Sequence, residues 1–345
     1  MSALPSFIAD LPKVELHVHH VGSASPRIVA DLAARHEGST PVPADPDLLG
    51  DYFVFRDFAH FIEIYLSVVD LVRTPEDVDL LTYEIARELA GQTVRYAELT
   101  ITPQTSIERG IPAEEFCAAL EDARARAGRD FGIELAWCFD IPGEAGIPAA
   151  DVTLDAALRL RPDGLVSFGL GGPEVGVPRS MFSSHFEGAR AAGLRSVPHA
   201  GESTGPESVW DAVTHLGAER VGHGIAAAED PALMEHLAAE GIALEVCPTS
   251  NVCTRSVPSL AEHPLPSLVA SGVPVTVNSD DPPMFSTTLN KEYLVAAQLL
   301  DLDAGGVAEL ARQGVRYSFL DEDRKRRMLR EIDEYVASAA MDRPV

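Results

Sequence analysis

Apolar and polar positions along this chain follow two rhythms that keep trading places. Short runs rich in β-branched and aromatic residues carry strand signals: "KVELHVH" at 13–19, "VRYAELT" at 94–100 and "IELAWCF" at 133–139. They recur as "GLVSFG" at 164–169, "RSVPH" at 195–199, "ERVGH" at 219–223, "IALEVC" at 242–247 and "VPVTVNSD" at 273–280. Between them the apolar positions take a helical period, near 112–127, 151–160, 181–193, 206–216, 231–240 and 258–271. Ser25 before Pro26 predicts a helix start, with Ile28, Val29, Leu32 and Ala33 on its apolar face. Thr74-Pro75-Glu76 opens another helix, which Gly91 closes. Phe58, Phe61, Ile62, Tyr65, Val68 and Val69 also repeat at helical spacing. The stretch 36–55, rich in Pro, Gly and Asp, reads as irregular. A closing amphipathic helix is expected over 318–338, with Arg324, Lys325, Arg326 and Arg327 on a solvated face.

Eight strands, each followed by a helical pattern, predict an α/β fold of the (β/α)8 TIM-barrel type. The expectation is a single domain over 1–345, with a helical insertion at about 36–75 covering the barrel mouth. An open doubly wound sheet is the alternative. It fits the count less well, and no Gly-rich phosphate loop follows the first strand.

Composition adds mainly exclusions. At 46 % hydrophobic and 23 % charged residues, the chain has ample material for a large core. Its formal net charge of −26 disfavours nucleic acid and anionic membranes as partners. Cys117, Cys138, Cys247 and Cys253 show no metal-binding or disulfide spacing and read as reduced thiols. The opening "MSALPSFIADLPK" lacks a signal-peptide pattern, and no apolar run reaches the ~18 residues of a membrane span. A cytoplasmic protein with a small-molecule partner is expected. The sequence leaves the oligomeric state open.

The candidate chemistry sits at the strand ends. The first strand ends in His17-Val18-His19, the fifth in His199, the sixth in His223 and the eighth in Asp280-Asp281. Alternation along a strand points His17 and His19 the same way, into the mouth of a barrel. Imidazoles from separate strands with a carboxylate make a nitrogen-and-oxygen site for a divalent metal, zinc first. Each residue alone has a plain structural reading as a hydrogen-bonded strand end or an Asp-Pro turn. Four coincidences at equivalent strand ends argue against chance. His36, His60, His185, His215, His236 and His263 lack this placement and read as surface or packing residues, with His20 and His60 close to the rim.

Together, "ELHVHHVGS", "VPHAGES", "VGHG", "EVCPTSN" and "VNSDDPPMF" resemble the adenosine deaminase-like branch of the amidohydrolase superfamily over about residues 10–335. The resemblance implies one zinc per chain, held by His17, His19, His199 and Asp280. It implies that Glu202 protonates purine N1, and that His223 acts as a base toward the attacking water or orients it. It further implies a hydrogen bond between Asp281 and N7, and one from the Gly172 backbone N–H to N3. The activity implied is hydrolytic replacement of the 6-amino group of an adenine nucleoside by oxygen, with loss of ammonia. A carboxyl group of raised pKa suits the acid role, because attack at C6 pushes electrons onto N1. The bridging lysine used by two-metal relatives is absent from the strand ends, where Lys13, Lys291 and Lys325 do not fall.

Three positions depart from the family pattern. Val21 stands where members acting on adenosine place an Asp for the ribose 5′-hydroxyl, Gly169 where Asp is frequent and Thr100 where Arg is frequent. A valine cannot make that contact. Two readings stay open: drift within an ordinary adenosine deaminase, or a substrate with an apolar or bulky 5′ group. Aminodeoxyfutalosine, an intermediate of menaquinone synthesis with an aryl ketone at that end, fits best. Methylthioadenosine and S-adenosylhomocysteine are the other candidates. Arg27, Arg56 or Arg179 would supply a cation for a substrate carboxylate. Phe58 and Phe61, with Phe55 and Tyr65, would add apolar or stacking surface from a lid. A catalytically silent binding protein on the same barrel would not need all of His17, His19, His199, Glu202, His223, Asp280 and Asp281.

Overall fold

The computed structural model describes residues 3–54 and 58–341, apart from the side chains of Ala3, Phe58, Ala59, Phe61 and Met341. Arg56 and Phe55 lie outside the described residues, as do the side chains of Phe58 and Phe61, so the lid contacts expected of them lie outside too.

Eight parallel strands form one sheet in sequential order: β1 (Lys13–His19), β2 (Val94–Ile101), β3 (Glu134–Pro142), β4 (Leu165–Gly171), β5 (Arg195–Ala200), β6 (Arg220–His223), β7 (Ala243–Val246) and β8 (Val275–Val277). A bridge between Val18 and Asp280 brings the chain after β8 back onto β1. The His19 amide donates to the Asp280 carbonyl at 2.9 Å and the Asp280 amide to the His17 carbonyl at 3.0 Å. Seam and candidate site are therefore built from the same backbone. The result is a nearly closed α/β barrel of the TIM type, whose strand carboxyl ends share one rim.

The helix starts follow the local chemistry. Ser25 Oγ accepts from the Ile28 amide at the head of Pro26–Arg35. Thr74 and Asp77 form a capping box at the head of Pro75–Ala90. The expected irregular stretch holds a helix, Pro46–Tyr52, because Asp45 caps it ahead of a proline at the first position. The pattern at 258–271 yields a shorter helix, Leu265–Ala270, since Pro264 starts a new element. The closing helix begins only at Glu322, and the preceding Ala304–Tyr317 is a separate helix capped by Asp303. No described helix is long and apolar enough to cross a membrane.

Helix Phe58–Val69 is apolar on two faces for a physical reason. Ile64 and Val68 are buried in the core, whereas Ile62 and Leu66 line a cavity at the barrel mouth while remaining 36 % and 47 % exposed. Residues of this helix line the cavity.

Candidate active site

The strand ends bring the predicted side chains together. His17 and His19, two residues apart on β1, both reach Asp280 Oδ1, with Nε2 at 3.7 and 3.2 Å. His199 from β5 sets its Nε2 3.2 Å from that of His19. His223 from β6 places Nε2 3.6 Å from Glu202 Oε2 and 3.8 Å from Asp280 Oδ2. Two of these residues sit in strained backbone: His223 has φ +57° and Asp280 φ +64°. Non-glycine residues in that region cost energy and persist where the surroundings fix them, often at functional sites.

The donor atoms fit a metal ion. Ligand atoms of His17, His199 and His223 lie within 4.8 Å of one another, as do those of His17, Cys247 and Asp280. His17 Nε2 is buried and has no hydrogen-bond partner. Its other nitrogen, Nδ1, donates to Glu245 Oε2 at 2.9 Å, which leaves Nε2 facing the cluster as the atom that would ligate a metal after losing its proton. Tetrahedral Zn–N bonds of ~2.0–2.1 Å imply N···N edges of about 3.3 Å, close to the 3.2 Å between His19 and His199. Cys247 is a poorer donor. Burial, then the Asp280 charge, pushes its thiol well up, and its Sγ–H points at the Glu245 carbonyl at 3.7 Å.

A hydrogen-bond chain assigns the His223 tautomer. The Leu265 amide must donate, so His263 Nδ1 accepts at 3.1 Å. His263 Nε2 then donates to Asn251 Oδ1 at 3.2 Å, and Asn251 Nδ2 donates to His223 Nδ1 at 3.1 Å. Burial, then the nearby His17, lowers His223 to about 4, so the ring is neutral at pH 7. It presents Nε2–H to the site. Ser250, beside Asn251, donates to Asp280 Oδ2 at 2.6 Å.

Glu202 is set apart electrostatically. Burial, followed by the charges of Asp280 and Glu174, raises its carboxyl to about 8. Asp281 rises to about 7 through burial and the Asp280 charge, and its Oδ1 is buried without a partner. Gly22 makes room for that carboxylate, since a Cβ there would stand 1.5 Å from Asp281 Oδ1. Gly172, at φ +77°, also lines the cavity, and its Cβ would stand 2.2 Å from Glu144 Oε2.

The loop carrying Glu202 hangs on one residue the sequence reading passed over, Glu174. Its carboxylate accepts from the amides of Gly201, Glu202 and Ser203 at 2.7, 2.8 and 2.9 Å, and from Thr204 Oγ1 at 2.7 Å. A fifth bond comes from Ser208 Oγ at 2.5 Å. Burial opposes charge here, but these bonds outweigh it and hold Glu174 at about 2. Its sequence signal was a lone carboxyl after "GLGGP", at the end of β4. Glu245 was also missed. It joins His17 to Arg220, whose Nε donates to Glu245 Oε1 at 2.6 Å, and Arg220 pairs in turn with Glu98.

One cavity of about 620 Å³ connects these groups to an apolar stretch formed by Val21, Ile62, Leu66, Val69, Val72 and Ile101. His20 and Thr100 also line it. Gly169 does not belong to the lining. It faces the barrel interior, where a Cβ would stand 2.8 Å from Cys138 Sγ, so no aspartate would fit there. The cations expected for a substrate carboxylate are also elsewhere. Arg27 pairs with Glu84 and Glu88, and Arg179 is buried with Nη2 on the Pro173 carbonyl.

Comparison with known proteins agrees with this geometry. The family profile described as "Adenosine deaminase" matches residues 12–335. An aminodeoxyfutalosine deaminase of Streptomyces avermitilis is 65 % identical, over 97 % of this chain and 94 % of that one. The crystal structure of an adenine deaminase from Arthrobacter aurescens superposes with a TM-score of 0.88 at 32 % identity, covering 95 % of this chain and 99 % of that one. An adenine deaminase of Cupriavidus necator is 37 % identical, over 99 % of this chain and 97 % of that one.

Proposed function

The chain belongs to the adenosine deaminase family and is a hydrolytic deaminase, and from that premise we propose that its substrate is an adenine nucleoside with a bulky 5′ group, aminodeoxyfutalosine first. The observation that carries this reading is Val21. It lines the same cavity as Ile62, Leu66, Val69 and Val72, and its side chain offers an apolar surface and no acceptor for a 5′-hydroxyl. A cavity of about 620 Å³ suits a whole substituted nucleoside better than a free base. The 65 % identity to an aminodeoxyfutalosine deaminase supports the same substrate and a place in menaquinone synthesis.

In this reading one zinc ion is held by His17, His19, His199 and Asp280. When bound, it supplies the Lewis acidity that brings the ionisation of water near neutral pH. Glu202, still protonated near pH 7, gives its proton to purine N1 as water adds to C6. His223 presents Nε2–H and orients the oxygen rather than taking its proton. Asp281 donates to N7, as its raised pKa favours, and the Gly172 amide donates to N3. Of the two protons that water brings, one ends on N1 by way of Glu202 and the other leaves in ammonia.

The test is a deamination screen of the metal-loaded protein by purine absorbance. It compares adenosine, 5′-deoxyadenosine, methylthioadenosine, S-adenosylhomocysteine and aminodeoxyfutalosine. The expected result is a kcat/KM for aminodeoxyfutalosine orders of magnitude above that for adenosine. Adenosine as the best substrate would overturn the reading.

A further inference from the structure

Part of the cavity's polar lining is left unused by the deamination chemistry. Thr102, Thr105, Ser106 and Arg109, from β2's outgoing loop and the short helix Pro103–Glu108, line it. The same cavity is lined by Asp140, Glu144, Glu174, Glu202, Asp280 and Asp281. Arg109 is the only lysine or arginine among the described residues of the lining. A guanidinium facing a cavity so rich in carboxyl groups is a placed exception.

Its existing contacts leave it able to bind. Nε and Nη2 both address a single oxygen, Asp70 Oδ1, at 3.0 and 2.9 Å, and Nη1 reaches the Thr105 carbonyl at 3.4 Å. Asp70 is itself 59 % exposed, so water competes for that pair. Guanidinium has five N–H donors in a planar fork, and two remain uncommitted here. Beside it the Thr105 hydroxyl makes a marginal bond of 3.4 Å to Gln104 Oε1.

We propose that Arg109, with the hydroxyls of Thr105 and Ser106, forms an anion subsite in the cavity wall for a carboxylate on the substrate's 5′ arm. This rests on the reading of a 5′-substituted nucleoside. It adds which residues hold the carboxylate of that arm. The apolar wall takes the body of the arm, and the fork takes its end as a charge-assisted pair.

The competing role for Arg109 is purely structural: its pair with Asp70 ties the segment after β2 to the end of helix Phe58–Val69. Two variants, Arg109→Gln and Asp70→Asn, separate the roles. Each is assayed with aminodeoxyfutalosine, with its carboxylate methyl ester and with methylthioadenosine. The subsite predicts that Arg109→Gln lowers the acid-to-ester ratio of kcat/KM by about 10- to 100-fold, mainly through KM, as loss of a charge-assisted bond should. It predicts that Asp70→Asn leaves that ratio at or above the wild-type value, and that Arg109→Lys recovers part of it. A ratio unchanged by Arg109→Gln, or equal losses on all three substrates in both variants, overturns the subsite. Wild-type preference for adenosine over every 5′-substituted compound overturns the underlying reading instead, and the subsite with it.

Discussion

Replacing Glu174 with Gln puts the most weight on the structure, because this carboxylate is argued to act through the loop it holds and not as an acid or a metal ligand. Its fall from an ordinary 4.5 to about 2 corresponds to about 3 kcal/mol of preference for the charged form in the folded protein, at 1.36 kcal/mol per pK unit. The atoms account for it: Oε1 receives two amides, and Oε2 receives one amide and two hydroxyls. A glutamine must turn its NH2 toward one of these sets. Toward Oε2 the hydroxyls adapt by accepting, but the Gly201 amide is left facing a donor. A buried donor without an acceptor costs ~1–3 kcal/mol, the same scale. The sign follows from the depressed pKa: wild-type stabilisation is complete above about pH 4.5 and is lost as pH falls toward 2.

Urea unfolding at pH 7 should therefore place Glu174→Gln about 2–3 kcal/mol below wild type, with the gap narrowing below pH 4.5. Activity carries a second signature. The Glu174 charge helps to raise Glu202 to about 8, so neutralising it should move the alkaline limb of kcat/KM to lower pH. Metal content should stay at wild-type level, since Glu174 contacts no candidate ligand. Unchanged unfolding together with an unmoved alkaline limb would refute the reasoning.

Glu202→Gln should keep its metal and lose turnover by about 10²–10⁴-fold, the usual worth of a positioned acid; near-normal activity would remove Glu202 from that role. Asp280→Ala should lower metal stoichiometry as well as rate, and full metal occupancy would take it out of the ligand set. Val21→Asp should raise kcat/KM for adenosine relative to aminodeoxyfutalosine, and a constant ratio would sink the specificity argument. Asn251→Ala leaves His223 Nδ1 unpaired and should reduce kcat with little change in metal content or KM; ¹⁵N spectra in which the His223 tautomer is unaltered would refute the hydrogen-bond chain.

Much of this candidate site was legible because its side chains cluster at strand ends. His17, His19, His199, His223 and Asp280 each close a strand or the turn after one, so counting strands was enough to bring them together. What escaped notice works through space. Glu174 lies 28 residues before Glu202, the residue whose amide it holds, and nothing in "GLGGPE" names that partner. Asn251 and His263 act only because a short helix and a turn set them in line behind His223. Gly169 shows the opposite limit: as one residue in a strand it reads equally well toward cavity or core, and only the packing of Cys138 against it decides. Glu98, Arg220 and Glu245 did leave a trace, as charges inside apolar strands. Such charges are costly unless paired, and these three are paired with one another inside the barrel.

The carboxyl groups of the cavity also bear on which nucleosides enter. Asp280 carries a negative charge, held there by His17 and His19 against the effect of burial, and Glu174 carries another. Burial, reinforced by these two charges, raises Glu202 to about 8 and so favours its protonated form. The same field opposes a phosphate dianion, because repulsion between like charges is strong in a partly desolvated site. A nucleoside 5′-monophosphate would need a cationic cradle, and among the described lining residues Arg109 alone offers a permanent positive charge. One guanidinium can offset a single carboxylate. It cannot offset a dianion set directly on C5′ without lowering the Glu202 pKa or remaining outweighed by the surrounding acids. The electrostatics that give Glu202 its proton thus also favour substrates that are neutral near the base and anionic, if at all, only at the remote end.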